Sequence, residues 1–225
     1  MNLSENFDVA VLGGTGKLGT GLGARLAVSG MSVFLGSRRE ETGVTSALRL
    51  KAKLSGFDTA ADVAGGSNHE AALRARVVIV AVPAFALGDM LPALAVSLAD
   101  KVVVSTAVPV RFAGGVATLE QRSHSMAEDV ARMLPHSHVA GAFHTVSNVN
   151  LGHVELPLSE DILITSDSGR AFSETAAIVD LIDNARPVNA GALANSGLTE
   201  SLAVLLISIN ATYHSHSGIV ISGIP

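Results

Sequence analysis

The sequence predicts an α/β protein built on a doubly wound parallel sheet. Short apolar runs rich in β-branched residues alternate along the chain with segments of helical periodicity. A glycine-rich turn joins the first apolar run to the first helical segment. Because buried parallel strands are connected by helices that cover both sheet faces, this alternation indicates βαβ units.

The predicted elements follow one another in a regular order. Strands are expected at 7–12, 31–35, 76–82, 101–104 and 138–143, and helices at 17–29, 40–54, 85–98 and 119–134. The stretch 56–73 predicts a weaker strand and a short helix, and 147–160 is expected to be a loop. Strands at 161–165 and 186–188 and helices at 171–182 and 198–213 complete the chain. We therefore expect a main domain over 1–146 and a small, closely integrated C-terminal α/β part over 147–225.

Composition excludes several classes of protein. Apolar residues make up 48% of the chain and aromatic residues only 4%, so the core must be aliphatic. A net charge of −5 disfavours binding to nucleic acid or an anionic membrane, and the absence of cysteine excludes disulfides and thiolate metal sites. The start, MNLSENFD, lacks the features of a signal peptide, and the longest apolar run, LAVLLISI, is too short to span a bilayer. These observations predict a cytoplasmic protein without nucleic-acid or membrane partners.

The glycine-rich turn fits the pattern G-x-G-x-x-G of nucleotide-binding Rossmann folds. The pattern follows a predicted strand and opens a predicted helix, which is the context that makes it specific. Its backbone N–H groups and the helix dipole favour a diphosphate. The alternative is a flexible turn without a ligand. The predicted cofactor-binding residues here are Gly14, Thr15, Gly16, Lys17, Leu18 and Gly19.

Two other glycine motifs do not fit. A Walker A loop requires glycine and a Ser or Thr where this chain has Val11 and Leu18. An extended short-chain dehydrogenase requires a tyrosine followed four residues later by lysine. The only tyrosine is Tyr213, and residue 217 is a serine.

The end of the second predicted strand indicates which dinucleotide binds. An NAD site carries Asp or Glu there, whereas this chain has Ser37, Arg38 and Arg39. Two guanidinium groups and a hydroxyl can bind a 2′-phosphate through charge-assisted hydrogen bonds, so the sequence favours NADP. In the alternative interpretation the arginines are solvated and pair with Glu40 and Glu41.

The turns at the strand ends should form the ligand crevice, and they are almost uncharged. His144 is their only ionisable residue, and no general acid–base arrangement can be placed beside a nicotinamide. This suits hydride transfer between two planar cofactors that carry the chemistry themselves. The remaining expected cofactor-lining residues are Val82, Pro83, Ala84, Val108, Pro109 and Val146.

The chain resembles the F420-dependent NADP reductase family. The stretches that carry the resemblance are VLGGTGKLGTGLGARLAVSG, GSRREE, VVVSTAVPV, AFHTV and NARPVNAGALANSGLTESL. The resemblance implies hydride transfer between NADP(H) and the deazaflavin coenzyme F420, and a homodimer. It also implies that His144 helps to align the rings, and that His144, Asn195 and Ser196 contact the deazaflavin. The chain departs from the family pattern at Gly197 and Ala203, where members often carry Arg and Thr.

Other functions remain open at this point. The protein could reduce a flavin, quinone, imine or carbonyl with NADPH, or it could be a non-catalytic NADP sensor. The paired histidines at 136/138 and 214/216 have no acid or cysteine organised around them, so no metal site is predicted. The apolar segment 201–213 is expected to serve the core, a dimer interface or both.

Overall fold

The structure is a computed structural model that describes residues 7–59 and 61–224. Residues 1–6, which make up most of the stretch MNLSENFD used for the signal-peptide prediction, lie outside this part. The strands are β1 (Phe7–Leu12), β2 (Val33–Ser37), β3 (Val63–Ser67), β4 (Ala75–Val80), β5 (Val102–Ser105), β6 (Val110–Ala113), β7 (Val116–Leu119), β8 (His138–Gly141), β9 (Glu160–Ser166) and β10 (Ala185–Asn189). The α-helices are α1 (Lys17–Val28), α2 (Glu40–Leu54), α3 (Asn68–Arg74), α4 (Leu87–Leu94), α5 (Met126–Met133), α6 (Asn148–Gly152), α7 (Gly169–Asp180) and α8 (Ser196–Tyr213). Short 3-10 turns at Ala84–Ala86 and Leu193–Asn195 precede α4 and α8.

Eight strands form one sheet in the order β3-β2-β1-β4-β5-β8-β9-β10. The six strands from β3 to β8 are parallel, and their order is that of a Rossmann fold. The predicted fold class is therefore confirmed. Strand order reverses between β1 and β4, so the crevice at the carboxyl ends of these strands is the expected ligand site.

The C-terminal part continues the same sheet. Strand β9 runs antiparallel to β8, with Ala140 opposite Ser166, and β10 runs parallel to β9. Helix α7 packs on β9 and β10, and α8 packs on α5 and β7. The expected division after residue 146 stays a prediction.

The core is mainly aliphatic, as the composition predicts, with Phe34 and Phe143 as its buried aromatic residues among those described. One cluster of buried side chains packs α1, α2 and α7 on one face of the sheet, and a second packs α3, α4 and α5 on the other. Val9 and Val11 of β1 face the first cluster, while Ala10 and Leu12 face the second. A central strand buried on both faces explains the continuous apolar run at the start of the chain.

The prediction of a helix over 119–134 is wrong in its first part. Strands β6 and β7 form an antiparallel hairpin, and Gly114 and Gly115 between them both have positive φ, 56° and 81°. Two left-handed residues make the two-residue turn that matches strand twist. Helix α5 begins only at Met126, because Ser125 and Glu128 form a capping box there.

The predicted loop over 147–160 contains the short helix α6. Ser147 caps α6 by accepting from the N–H groups of Val149 and Asn150. Helix α6 packs on α1, where a Cβ on Gly21 would lie 2.8 Å from the Cβ of Leu151. The absence of a side chain at Gly21 therefore allows α6 to pack closely on α1. The sequence of the segment 147–160 alone does not indicate this packing.

The last helix is more apolar than the sequence analysis expected. The helical stretch Leu193–Tyr213 is long and apolar enough, by length and composition alone, to cross a membrane. Six residues of α8 are nevertheless buried inside the protein, among them its one charged residue, Glu200. The buried side of the helix carries Ser196, Thr199 and Glu200 as well as the apolar residues Ala203, Val204 and Leu206.

Candidate functional site

The glycine turn after β1 has the geometry of a phosphate-binding loop. The left-handed conformation that tightens the turn is at Gly13, with φ 74°, one residue before the motif. Gly14 is needed for close packing, because a Cβ there would lie 3.0 Å from Leu35 of β2. Its N–H donates to the carbonyls of Val11 and Gly36, at 3.2 and 2.9 Å.

Several N–H groups of this turn are available to a ligand. Those of Thr15, Lys17 and Leu18 have no acceptor within residues 7–59 and 61–224. Gly16 caps α1 without a side-chain hydrogen bond, and the first turn of α1 contains no acidic residue. Unpaired donors at the positive end of a helix fit a diphosphate.

Asn68, the first residue of α3 after the carboxyl end of β3, supports the turn and was not predicted from the sequence. Its Oδ1 accepts a hydrogen bond from the N–H of Gly13 at 3.1 Å, and only 7% of the residue is exposed. Its Nδ2 lies 3.3 Å from the Sδ of Met90. A lone asparagine at the end of a weakly predicted strand carried no signal that could have identified this contact.

The turn opens into a cavity of about 940 Å³ at the switch point between β1 and β4. The cavity is lined by seven of the fifteen residues predicted to bind the cofactor: Thr15, Gly16, Ser37, Arg38, Arg39, Val82 and Pro83. It also contains residues that were not predicted: Gly13, Thr42, Ser67, Asn68, His69, Ala81, Phe85, Ala86, Asp89, Met90, Ala93 and Leu94. The cavity thus joins the glycine turn to the end of β2, as one dinucleotide would require.

Arg38 and Arg39 are exposed at this cavity and unpaired. Neither guanidinium forms an ion pair or hydrogen bond with any residue of the described chain. The alternative interpretation, in which they pair with Glu40 and Glu41, is therefore not supported. Both glutamates lie in the first turn of α2, where carboxylates interact favourably with the helix dipole.

Lys17 lies outside this cavity and lines a smaller one of about 440 Å³ between α1, α2 and α6, which shares Thr15 and Gly16 with the larger cavity. Leu18, Gly19, Gly14 and Ala84 line neither cavity. Gly19 has a packing role, because a Cβ there would lie 2.7 Å from the carbonyl oxygen of Gly13. Their roles toward the cofactor stay predictions.

The other residues predicted to line the crevice lie in the turns after β5 and β8. Strand β5 is the neighbour of β4, and β8 is the next strand of the sheet. Thr106 donates through its N–H and its hydroxyl to the carbonyl of Val80, at 3.3 and 3.0 Å. The N–H of Ala142 donates to the carbonyl of Ser105 at 3.0 Å. The turns after these three strands therefore lie side by side, and they carry the buried or half-buried residues Val108, Pro109, His144 and Val146.

His144 is buried next to the start of α8. Its Nδ1 lies 3.2 Å from the hydroxyl of Thr199, and burial lowers its pKa to about 4, so the ring is neutral at pH 7. Ser196 is fully buried and its hydroxyl bonds to that of Thr165. Asn195 is exposed and donates to the carbonyl of Ala190 at 2.8 Å. Contact of these residues with a substrate stays a prediction.

Glu200, one residue beyond Thr199, is a buried carboxylate that the sequence analysis did not identify. It is 1% exposed, and its oxygens accept from the N–H groups of Met126 and Ala127 at 3.0 and 3.2 Å. Burial raises its pKa to about 7, while these two hydrogen bonds act in the opposite direction. Helices α5 and α8 are therefore joined through a carboxyl group that titrates near neutral pH.

Replacing Glu200 with glutamine should change how stability depends on pH. Because the pKa of Glu200 is about 7 in the folded protein and 4.5 as its ordinary value, the native state retains the proton longer. The raised pKa stabilises the native state fully below pH 4.5. As the pH rises through 7 this stabilisation is lost, and the free energy of unfolding of the natural protein falls by about 3 kcal/mol. We expect the free energy of unfolding of Glu200→Gln, minus that of the natural protein, to rise by this amount between pH 4.5 and 7.5 in denaturant titrations. A difference that is independent of pH would contradict the assignment.

Comparisons with known proteins identify relatives of this chain. The family described as "NADP oxidoreductase coenzyme F420-dependent" matches residues 8–109. The F420-dependent NADP reductase of Methanothermobacter thermautotrophicus is 34% identical over 223 residues, covering 96% of this chain and 95% of the relative. That of Methanocaldococcus jannaschii is 33% identical over 210 residues, covering 92% and 94%.

A solved structure supports the fold over the same length. A candidate F420-dependent NADP-reductase from Arthrobacter sp. FB24 superimposes with a TM-score of 0.77 at 21% identity, covering 94% of this chain and 96% of that one. At 21% identity this structural similarity supports the fold alone. The sequence relatives, which match from the glycine turn to the last helix, show that this chain belongs to the F420-dependent NADP oxidoreductase family.

Proposed function

We propose that this protein transfers hydride between NADP(H) and the deazaflavin coenzyme F420. The observation that carries the proposal is the match along 96% of the chain to a relative named F420-dependent NADP reductase. The site supports the NADP half independently, because Thr15 and Gly16 of the glycine turn line the same cavity as Arg38 and Arg39, which have no ion-pair partner among the described residues. One molecule with a diphosphate and a second phosphate can therefore occupy both positions.

The protein's own contribution is to bind, align and exclude water. The N–H groups of Thr15, Lys17 and Leu18 would hold the diphosphate, and Arg38 and Arg39 the 2′-phosphate. When bound, NADPH supplies a hydride to the deazaflavin, which also takes up one proton, to give NADP⁺ and reduced F420. Hydride transfer between two such rings requires alignment rather than an acid–base side chain on the protein.

The apolar residues beside the expected ring position support a mechanism in which the cofactors carry the chemistry and the protein aligns them. Val108, Pro109 and Val146 offer no titratable group, and the neutral imidazole of His144 is the only ionisable side chain of these turns. A neutral and largely apolar environment excludes water from the transferred hydride. Cytoplasmic localisation, the expectation from the sequence, stays a prediction.

The test is a direct assay. Purified protein is mixed with NADPH and oxidised F420, and the absorbance of the deazaflavin is followed. We expect the absorbance of oxidised F420 to fall in proportion to NADPH consumed. Stoichiometric NADPH binding without turnover of F420 would contradict the proposal and favour a non-catalytic NADP sensor.

We further propose that the protein is a homodimer through the outward face of α8. Leu198, Leu202, Leu205 and Ile209 follow the spacing of one helical face, and Leu198 and Leu205 are 71% and 55% exposed. This face carries no charge, because Glu200, the only charged residue of α8, is buried on the other side. An uncharged apolar stripe on a surface helix is typical of an interface.

Replacing Leu205 with glutamate should convert the dimer into a monomer. We expect a solution mass of about twice 22.9 kDa for the natural protein and of 22.9 kDa for the variant, by light scattering after gel filtration. Leu48→Glu, at a leucine that is 62% exposed on α2, is the matched control and should stay dimeric. A monomeric natural protein would overturn the proposal.

A further inference from the structure

His144 leaves a buried ring nitrogen without a partner. Only 9% of the residue is exposed, and its Nε2 has no hydrogen-bond partner within residues 7–59 and 61–224. Its Nδ1, in contrast, lies 3.2 Å from the hydroxyl oxygen of Thr199, which is 55 positions away in the sequence. Buried polar atoms are nearly always paired, so an unpaired one beside a ligand crevice requires an explanation.

The contacts of Thr199 determine which ring nitrogen carries the proton. The Thr199 hydroxyl lies 3.0 Å from the backbone carbonyl of Ser196, which can only accept. The single hydroxyl proton therefore points to that carbonyl, and the Thr199 oxygen can only accept from His144. A neutral imidazole has one N–H group, so this group is at Nδ1 and Nε2 carries a lone pair.

The surroundings of His144 keep the ring in place. A Cβ on Gly141 would lie 3.2 Å from the Cε1 of His144 and even closer to the hydroxyls of Ser196 and Thr165. The absence of a side chain at Gly141 thus makes room for the imidazole between β8 and the start of α8. Burial lowers the pKa of His144 to about 4, so the ring cannot use a second proton to satisfy Nε2 at pH 7.

We propose that Thr199 is a positioning residue that fixes His144 as the Nδ1–H tautomer, so that Nε2 accepts a hydrogen bond from an N–H or O–H group of the bound coenzyme. A carbonyl oxygen facing Nε2 would be repelled, since both atoms are acceptors. This inference rests on the proposed function, because it takes the turn after β8 as part of the pocket for the second coenzyme. The tautomer itself is a property of the free protein and can be measured without any substrate.

The first test is nitrogen NMR of protein labelled with ¹⁵N histidine, with the His144 signals assigned by their loss in His144→Asn. At pH 7 we expect a protonated, pyrrole-type Nδ1 and an unprotonated, pyridine-type Nε2. Thr199→Val should remove this preference, and Thr199→Ser, which keeps the hydroxyl, should restore it. Thr212→Val is the matched control, because Thr212 also donates to a backbone carbonyl of α8 but is exposed.

The second test separates binding of the two coenzymes. Thr199→Val should raise KM for F420 by about tenfold, the effect of one hydrogen bond, and leave KM for NADPH unchanged. A natural protein with the proton on Nε2, or a folded Thr199→Val with an unchanged tautomer, would overturn the inference. Equal increases in KM for both coenzymes would also overturn it. If F420 is not turned over at all, the proposed function fails, while the tautomer measurement still decides the role of Thr199.

Discussion

Replacing Gly19 with alanine is expected to weaken NADP binding by about 100-fold, or about 3 kcal/mol. The added Cβ would lie 2.7 Å from the carbonyl oxygen of Gly13 and 2.9 Å from the Cα of Gly14. Both contacts are with backbone atoms of the glycine turn, so the turn has to move. Moving it misaligns the unpaired N–H groups of Thr15, Lys17 and Leu18, which would hold the diphosphate.

The measurement is calorimetric titration with NADP⁺, together with thermal unfolding to confirm that the variant is folded. Gly169→Ala is the matched control, because an added Cβ there would have no neighbour within 4 Å and φ is not positive. We expect the control to bind like the natural protein. Unchanged affinity in Gly19→Ala would mean that the turn does not hold the diphosphate.

Replacing Arg38 with alanine is expected to raise KM for NADPH by about 30- to 100-fold and to leave KM for NADH nearly unchanged. Hydrogen bonds to a charged group contribute about 1.5–3 kcal/mol, and the 2′-phosphate is the one group by which the two cofactors differ. Because Arg38 has no partner in the described chain, its loss leaves no other group unpaired. The effect should therefore be confined to ligand binding.

Steady-state kinetics with both cofactors provide the check. Arg49→Ala, at an exposed arginine of α2 that lines neither cavity, serves as the control for the loss of one positive charge. We expect this control to change neither KM value. Equal losses for NADPH and NADH in Arg38→Ala would remove the assignment of Arg38 to the 2′-phosphate.

Local patterns predicted the elements well where periodicity was strong. The structure reproduces the predicted bounds of β1 (Phe7–Leu12) and α2 (Glu40–Leu54), and α1 begins at the predicted Lys17. Buried strands and amphipathic helices have a period that can be recognised along the chain. The hairpin of β6 and β7 was missed because its Gly-Gly turn signal was not used.

The part of the candidate site that was predicted consists of residues that are contiguous in the sequence. The glycine turn and the arginine pair are contiguous in sequence, and both line the cavity at the switch point. Asn68 was not predicted, because its hydrogen bond to Gly13 spans 55 residues. Glu200 was missed because a single glutamate in an apolar helix does not reveal that it meets the start of α5, 74 residues earlier.

The sequence by itself determined the fold class and identified the glycine turn and the arginine pair that line one cavity, since each depends on residues close together in the chain. Only the tertiary structure decided which buried polar groups pair with one another. The His144–Thr199 contact, the burial of Glu200 and the support of Gly13 by Asn68 all arise where distant elements pack. Such long-range hydrogen bonds are selected by packing and desolvation, and these leave no periodic pattern along a single chain.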